Sequence, residues 1–144
     1  MARLRIETRR QFAEALMAVP YAATHLPYPI DLDEPLADYG LWNALCGLVN
    51  SAIEEGEWAA LGSLLALYDG VERAGPRGEM VVASYVAFLE DVRLPEDPAA
   101  LREFWRHAPP AFAAAIAHDR GLPQRKPPGF ERRPKGQRRR ARRR

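Results

Sequence analysis

Leu36-Ala37-Asp38-Tyr39-Gly40-Leu41-Trp42-Asn43-Ala44-Leu45-Cys46-Gly47-Leu48-Val49-Asn50-Ser51-Ala52-Ile53-Glu54-Glu55 is the stretch on which the fold class turns. Leu41, Trp42, Leu45, Leu48, Val49, Ala52 and Ile53 form a broad apolar stripe at helical spacing. Asp33 and Glu34 stand before Pro35, a favourable first-turn residue, and Gly56 closes the run. Working outward, a third helix begins near Glu57 and carries Trp58, Leu61, Leu64, Leu65, Tyr68 and Val71 up to the stop at Gly75-Pro76. A fourth spans Gly78 to Val92, apolar over most of its circumference. Its β-branched content admits a strand, but its length favours a buried helix. Asp97-Pro98 opens a fifth, Ala99 to His107, and Pro109-Pro110 a sixth, Ala111 to His118.

Upstream, Thr8 is a candidate cap for a short first helix with Phe12, Ala15, Leu16 and Val19 on one face, stopped by Pro20. Tyr21 to Pro35 holds Pro27, Pro29 and Pro35 and reads as a long ordered loop. No segment alternates with a period of two, and Ala, Leu and Glu dominate. The expected fold is all-α, a single-domain bundle or short array of about five to six helices. Short connections imply that the second, third and fourth helices run up, down, up. Gly47 and Gly62 are expected at close helix contacts under Trp42 and Trp58. No motif recurs well enough for a solenoid.

The 144 residues make one domain's worth of chain, without an uncharged apolar run long enough to span a bilayer. The first ten residues carry four Arg and no secretory h-region. With Cys46 as the single cysteine, the fold must be held by its core, as suits a cytoplasmic protein. The formal charge of +2 conceals two populations. Residues 125–144 hold eleven bases against one acid, a net +10, whereas residues 1–124 carry a net −8 and the stretch 31–119 a net −11. Residues 1–124 are therefore read as an acidic helical domain. The Arg/Pro-rich tail 125–144, with one aromatic and no aliphatic side chain larger than Ala, is expected to be disordered in isolation.

Motifs for catalysis are lacking. His25, His107 and His118 are scattered, no His-Glu-x-x-His or paired Cys occurs, and Asp31-Leu32-Asp33-Glu34 lacks the Gly and Glu of a calcium loop. Ser51, Ser63 and Ser84 sit in helical stretches without a nucleophile elbow. Cys46, within Leu45-Cys46-Gly47-Leu48, reads as a small core residue. No enzyme signature, metal site or cofactor is expected. Glu90, after two core residues at a helix end, is expected to pair with Arg93, Arg102 or Arg106, the alternative being a group that binds a partner.

From Asp38 to Pro110 the chain resembles a family of small bacterial all-helical domains of unknown function. The resemblance is carried by Tyr39-Gly40-Leu41, Ile53-Glu54-Glu55-Gly56, Leu67-Tyr68-Asp69-Gly70-Val71-Glu72, His107-Ala108-Pro109 and, most specifically, the Val-rich run Val81-Val82-Ala83-Ser84-Tyr85-Val86-Ala87 into Phe88-Leu89-Glu90-Asp91. Ala108 stands where that pattern tends to Gly, and the tail lies outside it. Similar domains occur among bacterial immunity and competition proteins. The resemblance implies a non-enzymatic interaction domain and no catalytic residue.

Two functions follow. In one, the acidic body binds a basic protein partner, with Asp31, Asp33, Glu34, Glu54, Glu55 and Glu57 as contacts. In the other, Arg132, Arg133, Lys135, Arg138, Arg139, Arg140, Arg142, Arg143 and Arg144 bind RNA or DNA without sequence preference, as in a nucleic-acid- or ribosome-associated accessory protein. The tail also has two other readings: a terminal extension from a GC-rich genome, or a cover for its own acidic body. No membrane partner is expected.

Overall fold

A computed structural model describes residues 3–26, 29–76, 78–81 and 83–123. Among them the chain forms seven helices and no strand, so the all-α expectation holds with one helix more than anticipated. The Arg/Pro-rich tail lies outside the described residues.

Thr8 caps α1 (Arg9–Met17): its hydroxyl accepts from the Gln11 N–H at 3.1 Å while the Gln11 carboxamide oxygen accepts from the Thr8 N–H at 3.1 Å. This reciprocal capping box satisfies two amides that a helix start leaves open. Pro20 does not simply stop the chain. It is the first residue of α2 (Pro20–His25), a position where its missing N–H costs nothing and its fixed φ suits the helix. The expected loop from Tyr21 therefore shrinks to the segment after His25, with Pro27 and Tyr28 outside the described residues.

The long apolar stripe forms α3 (Ala37–Glu55), with Leu36 at its N-cap and Pro35 just before it rather than within the first turn. Gly56 adopts a left-handed φ of 70°, and the Glu57 N–H donates to the Ala52 carbonyl at 2.9 Å. A glycine accepts that conformation without a Cβ clash, so the turn is tight and α4 (Trp58–Ala74) starts at once. The fourth expected helix is shortened to α5 (Ala83–Asp91). The preceding residues are held in a turn instead: Glu79 donates its N–H to the Glu7 carbonyl at 2.7 Å, and the Met80 carbonyl accepts from Trp42 Nε1 at 2.9 Å. Asp97 caps α6 (Pro98–His107) by accepting the Ala100 N–H at 3.0 Å, and α7 (Pro110–Asp119) follows after Pro109.

Ring contacts set the helix directions. Trp42, early in α3, lies 6.2 Å from Tyr68, late in α4, so these helices are antiparallel. It also lies 5.6 Å from Tyr85 and 5.2 Å from Phe88, while Asn50 further along α3 reaches Asp91 at the end of α5. Thus α5 runs with α3, giving the up, down, up order. Trp42 is fully buried among Phe12, Tyr68, Tyr85 and Phe88, and Phe112 of α7 extends this aromatic core to Phe104 of α6. The N-terminal segment straps onto α4, where Ile6 donates to the Gly70 carbonyl at 2.9 Å. Of the two mid-helix glycines, Gly62 is at a close approach, but to the His107 carbonyl at 3.4 Å from its ideal Cβ rather than under a Trp. Gly47 is exposed, with open space where a Cβ would stand, so the expected contact there is absent.

Candidate acidic interaction surface

Three helix C-termini, those of α3, α5 and α7, converge at one end of the bundle. Asn50, buried in α3, ties the first two together: Nδ2 donates to the Asp91 carbonyl at 3.1 Å, and Oδ1 accepts from the Arg93 N–H at 2.8 Å. Arg120, just past α7, donates from Nη2 to the carbonyls of Leu89 at 2.9 Å, Glu90 at 3.2 Å and Val92 at 2.5 Å. Each helix C-terminus carries a partial negative charge of about half an electron, and the N-terminus of α4, which starts at this end, offsets one of the three, so the backbone contributes a net negative field there.

The side chains add to it. Glu54 and Glu55 of α3, Glu57 after Gly56, and Glu90 and Asp91 of α5 are all exposed at this end. Arg93 pairs with Glu54 at 3.5 Å with both side chains largely in water, a geometry that contributes little. Glu55 accepts from the Tyr21 hydroxyl at 2.9 Å and lies 3.6 Å from His25 Nε2, which anchors α2 to the end of α3. Burial foremost, with Glu55 adding to it, pushes the Tyr21 phenol up. Among the described residues Glu57, Glu90 and Asp91 have no ion pair. The expected Glu90 partners are engaged elsewhere or not at all: Arg93 faces Glu54, Arg106 faces Glu103 at 3.3 Å, and only the Glu90 carbonyl is used, by Arg120.

The six acids singled out from sequence do not make one surface. Asp31, Asp33 and Glu34 are exposed in the turn before α3, where Asp31 Oδ1 accepts the Asp33 N–H at 2.9 Å. Asp31 and Glu34 border a shallow depression with Ile30, Ala37 and Gly40. α3 runs from this turn to Glu54 and Glu55, with Glu57 just beyond, a rise from Ala37 to Glu55 of about 27 Å at 1.5 Å per residue. Asp38, in the first turn of α3, is buried and pairs with Arg9 Nη2 at 3.3 Å.

The polar groups of the interior serve the architecture. Asp69, almost fully buried in α4, accepts the Ala111 N–H at 3.0 Å and the Phe112 N–H at 2.8 Å, capping α7 from another helix. The Tyr68 and Tyr85 hydroxyls share a hydrogen bond at 2.6 Å, Tyr68 lies in donor reach of Glu72 at 3.3 Å, and burial pushes the Tyr68 phenol far up. Burial, and secondarily Asp91, pushes the Cys46 thiol up to about 11, which disfavours the nucleophilic thiolate. Asp69, Asn50, Asp91 and Arg120 escaped sequence reasoning because their partners lie 28 to 43 residues away.

Among the described residues no group of three or more His, Cys, Asp or Glu is placed to hold a metal ion, and no helix is long and apolar enough to cross a membrane. The nine basic candidates from Arg132 to Arg144 lie outside the described residues. No protein-family model, curated protein or solved structure matches the chain.

Proposed function

We propose that this chain is a non-enzymatic, cytoplasmic protein-protein interaction domain, similar in kind to bacterial immunity proteins, and that the end formed by α3, α5 and α7 binds a basic partner. The observation that supports this reading is the coincidence there of three helix C-termini with Glu54, Glu55, Glu57, Glu90 and Asp91, three of these acids without an ion pair among the described residues. Such a surface steers a cationic protein by long-range attraction and competes with the nucleic acid a basic partner would otherwise hold. Asp31, Asp33 and Glu34, at the far end, are peripheral to it.

The test is a lysate pull-down with full-length protein, the 1–124 truncation and the full-length variant E54Q/E55Q/E57Q/E90Q/D91N, each with and without nuclease. The same protein should be retained by full-length and truncated forms after nuclease and lost by the variant. Retention by the variant refutes the reading. Material held only by full-length protein and removed by nuclease establishes the other reading instead, nucleic-acid binding through the eleven bases of residues 125–144.

A further inference from the structure

We infer that the basic segment 125–144 docks in cis on the acidic end of its own bundle and acts there as an internal competitor of the basic partner. The inference rests on the proposed use of that end and adds its regulation. Two independent features point to the occupant. First, the described chain finishes at this end: α7 closes at Asp119, the Leu122 N–H returns to the Ala117 carbonyl at 2.8 Å, and the chain continues from Pro123. Second, a guanidinium is already seated there. Arg120, the last base before the tail, places Nη2 on three carbonyls at the end of α5. The end of the bundle thus accepts, in the structure itself, the chemical group of which the following segment holds nine more, with two lysines besides.

Charge and reach agree with this occupant. The segment carries +10 against −8 for residues 1–124, and its complement at the end is Glu54, Glu55, Glu57, Glu90 and Asp91. Even partly extended, twenty residues reach tens of ångströms at up to about 3.4 Å each, more than enough to cross the end from Pro123. Tethering makes the encounter intramolecular, at an effective concentration on the order of millimolar. A basic partner must displace the tail before it binds.

The experiment uses the full chain alone, so its outcome is independent of whether any partner exists. A nitroxide is attached through Gln137→Cys, the buried and poorly ionised Cys46 being left in place, and paramagnetic broadening of the backbone amides is read. At about 50 mM salt, residues 54–57 and 88–93 should broaden at least about twofold more than residues 3–10 and 29–36, and the contrast should vanish at about 0.5 M salt, where screening is short-ranged. It should also vanish when the E54Q/E55Q/E57Q/E90Q/D91N changes are combined with the label in a chain whose other amide shifts remain native. Uniform or absent broadening at low salt overturns the inference, as does a contrast that survives the five substitutions. Loss of this contrast together with variant-sensitive partner capture would overturn cis docking alone. The opposite pair of results would overturn the interaction reading alone.

Discussion

Asp69→Ala should detach the start of α7. The carboxylate is 3% exposed and caps α7 through two N–H groups, Ala111 at 3.0 Å and Phe112 at 2.8 Å. The Phe112 bond is buried and its donor has no water to turn to, so truncation leaves an unmet amide at a cost of about 1–3 kcal/mol. Losing the anionic cap at a helix N-terminus adds about 1 kcal/mol. The sum is about 3 kcal/mol, or a melting point lower by about 12 °C at roughly 4 °C per kcal/mol for a domain of this size. Asp69→Asn, which keeps a capping oxygen without the charge, should lose about half as much. Urea unfolding gives the free energy, and amide hydrogen exchange at Ala111 and Phe112 localises it. A loss below about 1 kcal/mol with unchanged exchange at those two amides would refute the argument that Asp69 holds α7.

Two further perturbations test the placement of single residues. Gly47→Ala fills open space in the middle of α3, so it should stabilise the protein by about 0.5–1 kcal/mol through helix propensity alone, seen as a higher urea midpoint; a lower midpoint would reveal a contact at this face. The Cys46 thiol, raised from 9.0 to about 11, should react with a disulfide reagent at pH 8 about a hundredfold more slowly in the native protein than in the unfolded chain. Because its folded value lies above its unfolded one, the thiol's contribution to stability is complete below pH 9 and fades as pH rises toward 11. Cys46→Ala should flatten that part of the stability profile, measured by urea midpoints across the range.

What the sequence reveals here is local. The Thr8 cap, the Gly56 stop and the Asp97-Pro98 start are written within four residues of where they act, and all three recur in the structure. Pro20 was ambiguous because one residue type both ends a helix and begins one, and only the extended Val19 before it decides the matter. The shortening of α5 has a tertiary cause: Trp42 takes the Met80 carbonyl and Glu7 takes the Glu79 N–H, so the turn is fixed by distant groups. The face of Gly47 was legible from register instead: it stands four residues after Asn43 and seven before Glu54, both exposed, so it falls on the polar side of α3 and not at a contact. The acids were visible in the sequence, and a helix over 36–55 already divides them, with Asp31, Asp33 and Glu34 at one end and Glu54, Glu55 and Glu57 at the other; what was not visible is that α5 and α7 finish beside the second group, which rests on the distant partners of Asn50 and Arg120.

That division narrows how the protein can use its charge. At physiological ionic strength the screening length is about 8 Å, so acids about 27 Å apart along α3 act as separate fields. On the proposed reading, a basic partner meets one group or the other. The turn at Asp31, Asp33 and Glu34 precedes a helix N-terminus, whose partial positive charge opposes it, and Arg9 lies nearby on Asp38. At the other end the C-termini of α3, α5 and α7 outnumber the N-terminus of α4, which starts beside Glu57, so the helix termini on balance share the sign of the carboxylates. Of the two arginines standing there, Arg120 is held on three carbonyls, whereas Arg93 on Glu54 is 73% exposed and is therefore held loosely enough for an incoming guanidinium to replace it. On that same reading, the end formed by α3, α5 and α7 is where added salt should slow partner association most, and on the proposed cis docking the same salt should release the tail. If the tail is a competitor, those effects oppose each other in full-length protein, and association of the 1–124 form should show the steeper salt dependence.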